Sequence, residues 1–157
     1  MPRNRNQKAV FVDTSAIAAF VNEKESGHEE AIKKFGLLEE NGYYLFISNY
    51  IVAEVYALIL NRNKVKDTLQ RTQLAFDMLE WLHDEETFTI LFVDKLIEKK
   101  AREELLRHND KLWSIADMTS FLLMVEGGIP YFLSFDSDFN QASGHFGFYD
   151  IRPYLPQ

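Results

Sequence analysis

Four carboxylates stand where their neighbours are apolar. Asp13 follows Val10-Phe11-Val12, and Asp136 follows Tyr131-Phe132-Leu133-Ser134-Phe135. Each stands just past the carboxyl end of a run that reads as a buried strand. In open α/β sheets the ligand crevice lies outside those ends. Glu54 shares a helical face with Ile51, Val55 and Leu58, which predicts a carboxylate withdrawn from solvent. Asp117 lies among Ile115, Ala116, Met118, Phe121, Leu122, Leu123 and Val125, three residues after Ser114. That is the start of a helix, where the dipole favours an anion. Simple capping explains some of the same residues: Asp is a favoured N-cap, and Ser114-x-x-Asp117 reads as a capping pair. The residues by themselves leave both readings open.

The two readings differ in chemistry. Buried carboxylates must be paired, hydrogen-bonded or bound to a metal, and no Arg or Lys lies within these apolar stretches. Two strand ends and two helix starts can all point into one crevice, where the acids would repel one another. Hard divalent cations relieve such repulsion, and Mg²⁺ takes carboxylate oxygens together with waters. With them a site of this kind activates water and clamps an in-line phosphoryl displacement. The expected chemistry is that of a metal-dependent phosphodiesterase or phosphatase. Other acids, such as Glu29, Glu30, Glu85, Glu86, Glu103 and Glu104, lie in polar stretches and read as solvated faces.

These acids need a scaffold of alternating elements. Lys8–Val12, Tyr44–Ile47, Phe88–Val93 and Tyr131–Phe135 read as strands, with Phe148–Ile151 a fifth. Between them run helices over Ser15–Val21, His28–Glu40, Asn49–Asn61, Lys66–Leu82, Asp94–Arg107 and Ile115–Val125. Asn49 and Ser114 are the expected caps; Asn41-Gly42 and Gly127-Gly128 are the stop signals. Strands alternating with helices predict an α/β fold with a mainly parallel central sheet. Continuous apolar strands fit burial on both faces.

Composition narrows the function classes. The 157 residues read as one domain spanning 1–157, with 1–7 a flexible tail. The chain is 46% hydrophobic with 13 Phe and 7 Tyr, enough to fill a core and exclude general disorder. With no Cys, disulfide scaffolds and thiol nucleophiles drop out. A net charge of −7 argues against retention on nucleic acid by bulk charge, but local patches and bound cations still permit a nucleic-acid enzyme. Apolar stretches fall short of the roughly 20 residues a membrane span needs. A basic Met1–Lys8 before an apolar Ala9–Val21 mimics a signal peptide. The central Asp13 costs about 2.5–3.5 kcal/mol on insertion scales, so a cytoplasmic protein is expected.

The motifs, taken together, have a family pattern. Val12-Asp13-Thr14-Ser15, then Ser48-Asn49-Tyr50-Ile51-Val52-Ala53-Glu54-Val55, then Ser114-Ile115-Ala116-Asp117-Met118-Thr119-Ser120-Phe121, then Leu133-Ser134-Phe135-Asp136-Ser137-Asp138-Phe139 occur in that order. The sequence resembles the PIN-domain family, and within it the VapC-like ribonuclease toxins of toxin–antitoxin pairs. The resemblance covers almost the whole chain. It implies a three-layer α/β/α domain, an acidic pocket binding Mg²⁺ or Mn²⁺, and endonucleolytic cleavage of RNA. It further implies a cognate antitoxin partner, and family members commonly form homodimers. Under the resemblance, Asp13, Glu54, Asp117 and Asp136 match an acidic tetrad of catalytic metal ligands. Thr14 and Ser15 match small polar residues around the first acid, and Ser134 stands where the family usually has Thr. Asp138 matches an acid before the Phe of the last motif and is a further candidate ligand.

Competing readings are a non-catalytic PIN-fold module that binds RNA or protein, and a haloacid-dehalogenase-like phosphatase. The latter wants a second Asp two residues after the first, where this chain has Ser15. Arg62, Lys64, Lys66 and Arg71, with Lys95, Lys99, Lys100, Arg102 and Arg107, are either phosphate contacts or solvated helix faces with i,i+4 partners. His28, His83, His108 and His145 are scattered in polar segments and suggest no catalytic pair.

Overall fold

A computed structural model describes residues 5–62 and 65–157. Five strands form one sheet: β1 (Ala9–Val12), β2 (Tyr44–Ser48), β3 (Phe88–Leu91), β4 (Tyr131–Leu133) and β5 (Tyr149–Asp150). The order is β3-β2-β1-β4-β5, and every pairing is parallel. The helices are α1 (Thr14–Val21), α2 (His28–Glu40), α3 (Asn49–Arg62), α4 (Thr68–Leu82), α5 (Lys95–Arg107), α6 (Ile115–Gly127) and α7 (Ser137–Phe146). Among the described residues no helix is long and apolar enough to cross a membrane.

Handedness divides the helices between two faces. The chain steps from β1 to β2 to β3 in one direction, then returns past β1 to β4 and β5. Right-handed crossovers place the helices of opposite steps on opposite faces. Packing agrees: Phe20 of α1 stacks on Trp81 of α4 and tilts against Phe35 of α2. Phe121 of α6 meets Phe139 of α7 edge-on, at 5.0 Å. Phe11, Phe121, Phe132 and Phe139 are fully buried. Each burial of this size stabilises the fold by roughly 1.5–3 kcal/mol.

The apolar stretch that resembles a leader is the middle of this sheet. Val10, Phe11 and Val12 are wholly buried, paired with β2 on one side and β4 on the other. Arg5–Lys8, expected as part of a loose tail, winds into a 3₁₀ turn before β1. Residues 1–4 of that expected tail lie outside the described residues, as do the side chain of Arg62 and all of Lys64, two of the candidate phosphate contacts.

Several boundaries shift for local reasons. Helix α3 begins at Asn49, not after it. The cap is Ser48, whose Oγ accepts from Ile51 N at 3.1 Å. Asn49 Oδ1 instead accepts from Val93 N at 2.7 Å, tying the start of α3 to the exit of β3. Helix α4 starts at Thr68 because Asp67 accepts from Leu69 N. Strand β4 ends at Leu133, where Ser134 turns the chain out of the ladder. The segment after Asp136 forms α7, a helix beyond the six expected from periodicity. Gly42 and Gly128 adopt φ of 69° and 63° at the ends of α2 and α6, the left-handed region that glycine enters without steric penalty.

Candidate active site

The reversal of strand order beside β1 creates the switch point where α/β sheets form a ligand crevice. Asp13 leaves the carboxyl end of β1, and its backbone N–H donates to Leu133 O of β4 at 3.0 Å. Ser134, Phe135 and Asp136 continue from β4 on the other side. Asp13 and Asp136 both occupy N-cap positions, yet neither side chain caps its helix. Capping therefore does not explain either carboxylate.

Two hydroxyls fix the Asp13 carboxylate. Ser15 Oγ and Ser134 Oγ each donate to Asp13 Oδ2 at 2.8 Å. A hydroxyl has one proton to give, so the 3.0 Å approach between these two oxygens is then a packing contact. Their lone pairs accept backbone N–H groups instead: Phe135 N to Ser15 Oγ at 3.0 Å, and Asp136 N to Ser134 Oγ at 3.1 Å. The network ties the turn after β4 to the end of β1. Only 6% of Asp13 is exposed, and Ser134 is fully buried.

Glu54, Asp117 and Asp136 lie close enough to Asp13 to act on its charge. Thr14 Oγ1 donates to Glu54 Oε1 at 3.0 Å. Glu54 is exposed, which corrects the expectation that it is withdrawn from solvent. Ile51 and Val55 are buried, whereas Glu54 projects about 60° to the side of Ile51, at 3.6 residues per turn. Asp117 completes a capping box: Ser114 N donates to Asp117 Oδ2 at 2.9 Å, and Asp117 N to Ser114 Oγ at 3.0 Å. Here the cap reading holds, and it engages Oδ2. Asp136 is exposed, and Asp138, one helical position beyond Ser137, is half-buried.

The acids act on one another as like charges. Burial raises the Asp13 carboxyl most, its two serine hydroxyls and Thr14 N–H lower it, and Asp136 raises it again. Although Glu54 as a residue is exposed, partial shielding of its carboxyl from water raises it; the Thr14 hydroxyl lowers it, and Asp13 and Asp117 raise it. Asp117 is raised by burial, lowered by its Ser114 bonds, and raised by Asp13 and Asp136. Asp138 is pushed up from 3.8 to about 6, by burial first, then by Asp117 and Asp136, with a hydrogen bond to Asp117 adding to it. Among the described residues no cation enters any of these balances.

The donor set suits a hard divalent ion: carboxylate and hydroxyl oxygens, open to solvent on the Glu54 and Asp136 side, with no sulfur or imidazole. Among the described residues no three such groups stand close enough to hold one ion as they are. Carboxylates without a counter-charge repel, which keeps such a set open.

Among the described residues, four of the nine basic candidates have local partners. Lys100 pairs with Glu126 at 2.7 Å, Arg102 with Glu98 at 3.8 Å, and Arg107 with Glu104. Arg71 donates to Val65 O. Of these, Arg102–Glu98 is the expected i,i+4 pair, whereas Lys100–Glu126 joins α5 to α6.

The histidines differ from expectation. His28 and His83 place Nδ1 against Ala19 O and Leu79 O. His108 and His145, however, meet with ring centroids 5.2 Å apart. They are 37 residues apart in a chain whose local patterns say nothing of that meeting. The packing of α5 on α6 and α6 on α7 brings them together.

Comparison with known proteins fits this geometry. The family model described as PIN domain matches residues 10–144. Two curated relatives from Mycobacterium tuberculosis, strains CDC 1551 / Oshkosh and ATCC 25618 / H37Rv, are 28% identical over 147 residues. The match covers 92% of this chain and 98% of theirs, and both are named 23S rRNA-specific endonuclease VapC20. A crystal structure of M. tuberculosis VapC20, titled as a Sarcin-Ricin loop cleaving toxin, superposes with a TM-score of 0.70 at 28% identity. It covers 85% of this chain and 94% of that one.

Proposed function

The chain belongs to the PIN-domain family, and from that premise we propose that it is a metal-dependent endoribonuclease, the toxin of a toxin–antitoxin pair. The carrying observation is the chain of like-charge interactions linking Asp13, Glu54, Asp117, Asp136 and Asp138 at one switch point, with no cation entering their balances among the described residues. The likeness to relatives named as rRNA endonucleases supports RNA as the substrate. A cytoplasmic location, a single domain, a homodimer and a cognate antitoxin belong to the same proposal.

Each residue has a stated task. Asp13, held at Oδ2 by Ser15 and Ser134, is the fixed ligand at the floor. Glu54, oriented by Thr14, and Asp136 close the open side. Asp117 offers Oδ1 while Oδ2 stays in its cap. Asp138, raised to about 6, takes up or releases a proton next to Asp117 near neutral pH. Mg²⁺ or Mn²⁺, when bound by these carboxylates, supplies the Lewis acidity that lowers the pKa of water and neutralises charge on the phosphate. In-line attack by a water oxygen would form a new P–O bond as the P–O3′ bond breaks; the water gives up a proton to a carboxylate or solvent and the expelled 3′ oxygen takes one up, which leaves a 5′-phosphate and a 3′-hydroxyl.

The test is cleavage of 23S rRNA fragments with and without EDTA. Expected are EDTA-sensitive cleavage, recovery with Mg²⁺ or Mn²⁺, and loss in Asp13→Ala and Asp117→Ala. Cleavage that persists in EDTA, or RNA left intact in both metals, overturns the proposal. The second outcome leaves a PIN-fold binding module.

A further inference from the structure

Seven residues beyond Asp138, helix α7 carries His145. That separation is two helical turns, so both side chains lie on the same face of α7, about 10 Å apart along its axis. The His145 residue is exposed. Its ring rests edge-on against His108 at 5.2 Å and Trp113 at 6.1 Å. Below, His108 tilts against Trp113 at 5.3 Å and Phe146 at 5.8 Å. Trp113 is only 6% exposed and packs on Phe121. Its Nε1 meets no acceptor among the described residues, so ring packing rather than hydrogen bonding holds this floor.

Charge does not explain the cluster. Arg107 is paired with Glu104, Lys111 lies 3.8 Å from Asp110, and His108 Nε2 lies 3.6 Å from Glu104. With positive charge matched locally, what remains is a flat ring exposed on an aromatic base. Unstacked RNA bases are held by such rings, His among them, and stacking tolerates any base because every base has a π-face. The 10 Å from Asp138 corresponds to about three residues of a stacked strand at about 3.4 Å each.

We infer that His145, supported by His108 and Trp113, is a stacking platform for an RNA base flanking the scissile phosphate. The inference rests on the ribonuclease reading and gives that site a direction: the strand leaves the carboxylates along α7 toward the end of α5. His145 is a substrate-positioning residue and takes no part in bond making.

The experiment measures binding of a short fluorescein-labelled single-stranded RNA by anisotropy, in Ca²⁺ buffer, over a salt series. Proteins are wild type, His145→Ala and His145→Phe. Expected is a loss of about 5- to 150-fold for His145→Ala, near wild-type binding for His145→Phe, and an unchanged salt slope. On wild-type protein, imidazole Cε1–H NMR signals of His145 and His108 should move when RNA is added; this readout holds even if a variant folds poorly. Wild-type affinity in His145→Ala, equal losses in both variants, or unmoved imidazole signals would overturn the inference. If wild type binds and cuts RNA with His145→Ala unimpaired, this inference alone fails. If wild type binds no RNA, the ribonuclease reading fails with it.

Discussion

Ser134 Oγ lies 2.8 Å from Asp13 Oδ2, across 121 residues of sequence. The bond joins the ends of two neighbouring strands inside the crevice, and the same hydroxyl accepts Asp136 N. Ser134→Ala removes both partners at a fully buried position. The expected cost is about 1–3 kcal/mol, a drop in melting temperature of roughly 2–4 °C per kcal/mol for a chain of this size. Losing a donor also raises the Asp13 carboxyl further, so the acidic limb of the pH–rate profile should move to higher pH. Ser134→Thr keeps the hydroxyl and should retain the wild-type profile. An unchanged profile and melting temperature in Ser134→Ala would show that the bond does nothing.

Asp138 predicts a pH dependence of stability. Its folded pKa, about 6, lies above its ordinary 3.8. Its stabilising contribution is therefore complete below 3.8 and is lost as pH rises through about 6. Compared with Asp138→Asn, metal-free wild type should lose melting temperature across that window, and Mn²⁺ should reduce the difference. At pH 7 without metal, Asp138→Asn should melt higher than wild type. Thermal melts from pH 4 to 7 check this; a variant that melts lower throughout would show a structural role instead.

Two residues at helix starts should behave oppositely. Ser114 caps α6 through Asp117 N, so Ser114→Ala should cost about 1 kcal/mol of stability. Asp136 caps nothing, so Asp136→Ala should leave the melting temperature within roughly 0.5 kcal/mol equivalent while cleavage falls by tenfold or more, about 1.4 kcal/mol of transition-state stabilisation. A large stability loss in Asp136→Ala would return that acid to the role of a cap.

The paired imidazoles make product analysis decisive. Attack by the RNA's own 2′-hydroxyl would use a histidine pair and leave a 2′,3′-cyclic phosphate. The carboxylate route leaves 5′-phosphate ends, and these should persist in His108→Ala. End-labelling and mass spectrometry of the fragments distinguish the two; a cyclic product from wild type would reject the carboxylate mechanism.

Much of this protein is written locally. Continuous apolar runs such as Val10-Phe11-Val12 determine buried parallel strands, because both faces must be covered. Gly42 and Gly128 stop helices because glycine enters the left-handed region cheaply. The order of the four acidic motifs carries the resemblance to the family. Side-chain direction is different, because it depends on packing from distant segments. Whether Glu54 faces inward turned on about 60° of helix rotation relative to Ile51 and Val55. Whether the Asp13 carboxylate caps its own helix or is held by hydroxyls depends on a side chain 121 residues away. The meeting of His108 with His145 required α5, α6 and α7 to pack together. Periodicity reports which face of an element is apolar; only tertiary packing decides which polar groups meet, since those contacts are made between segments far apart in the chain.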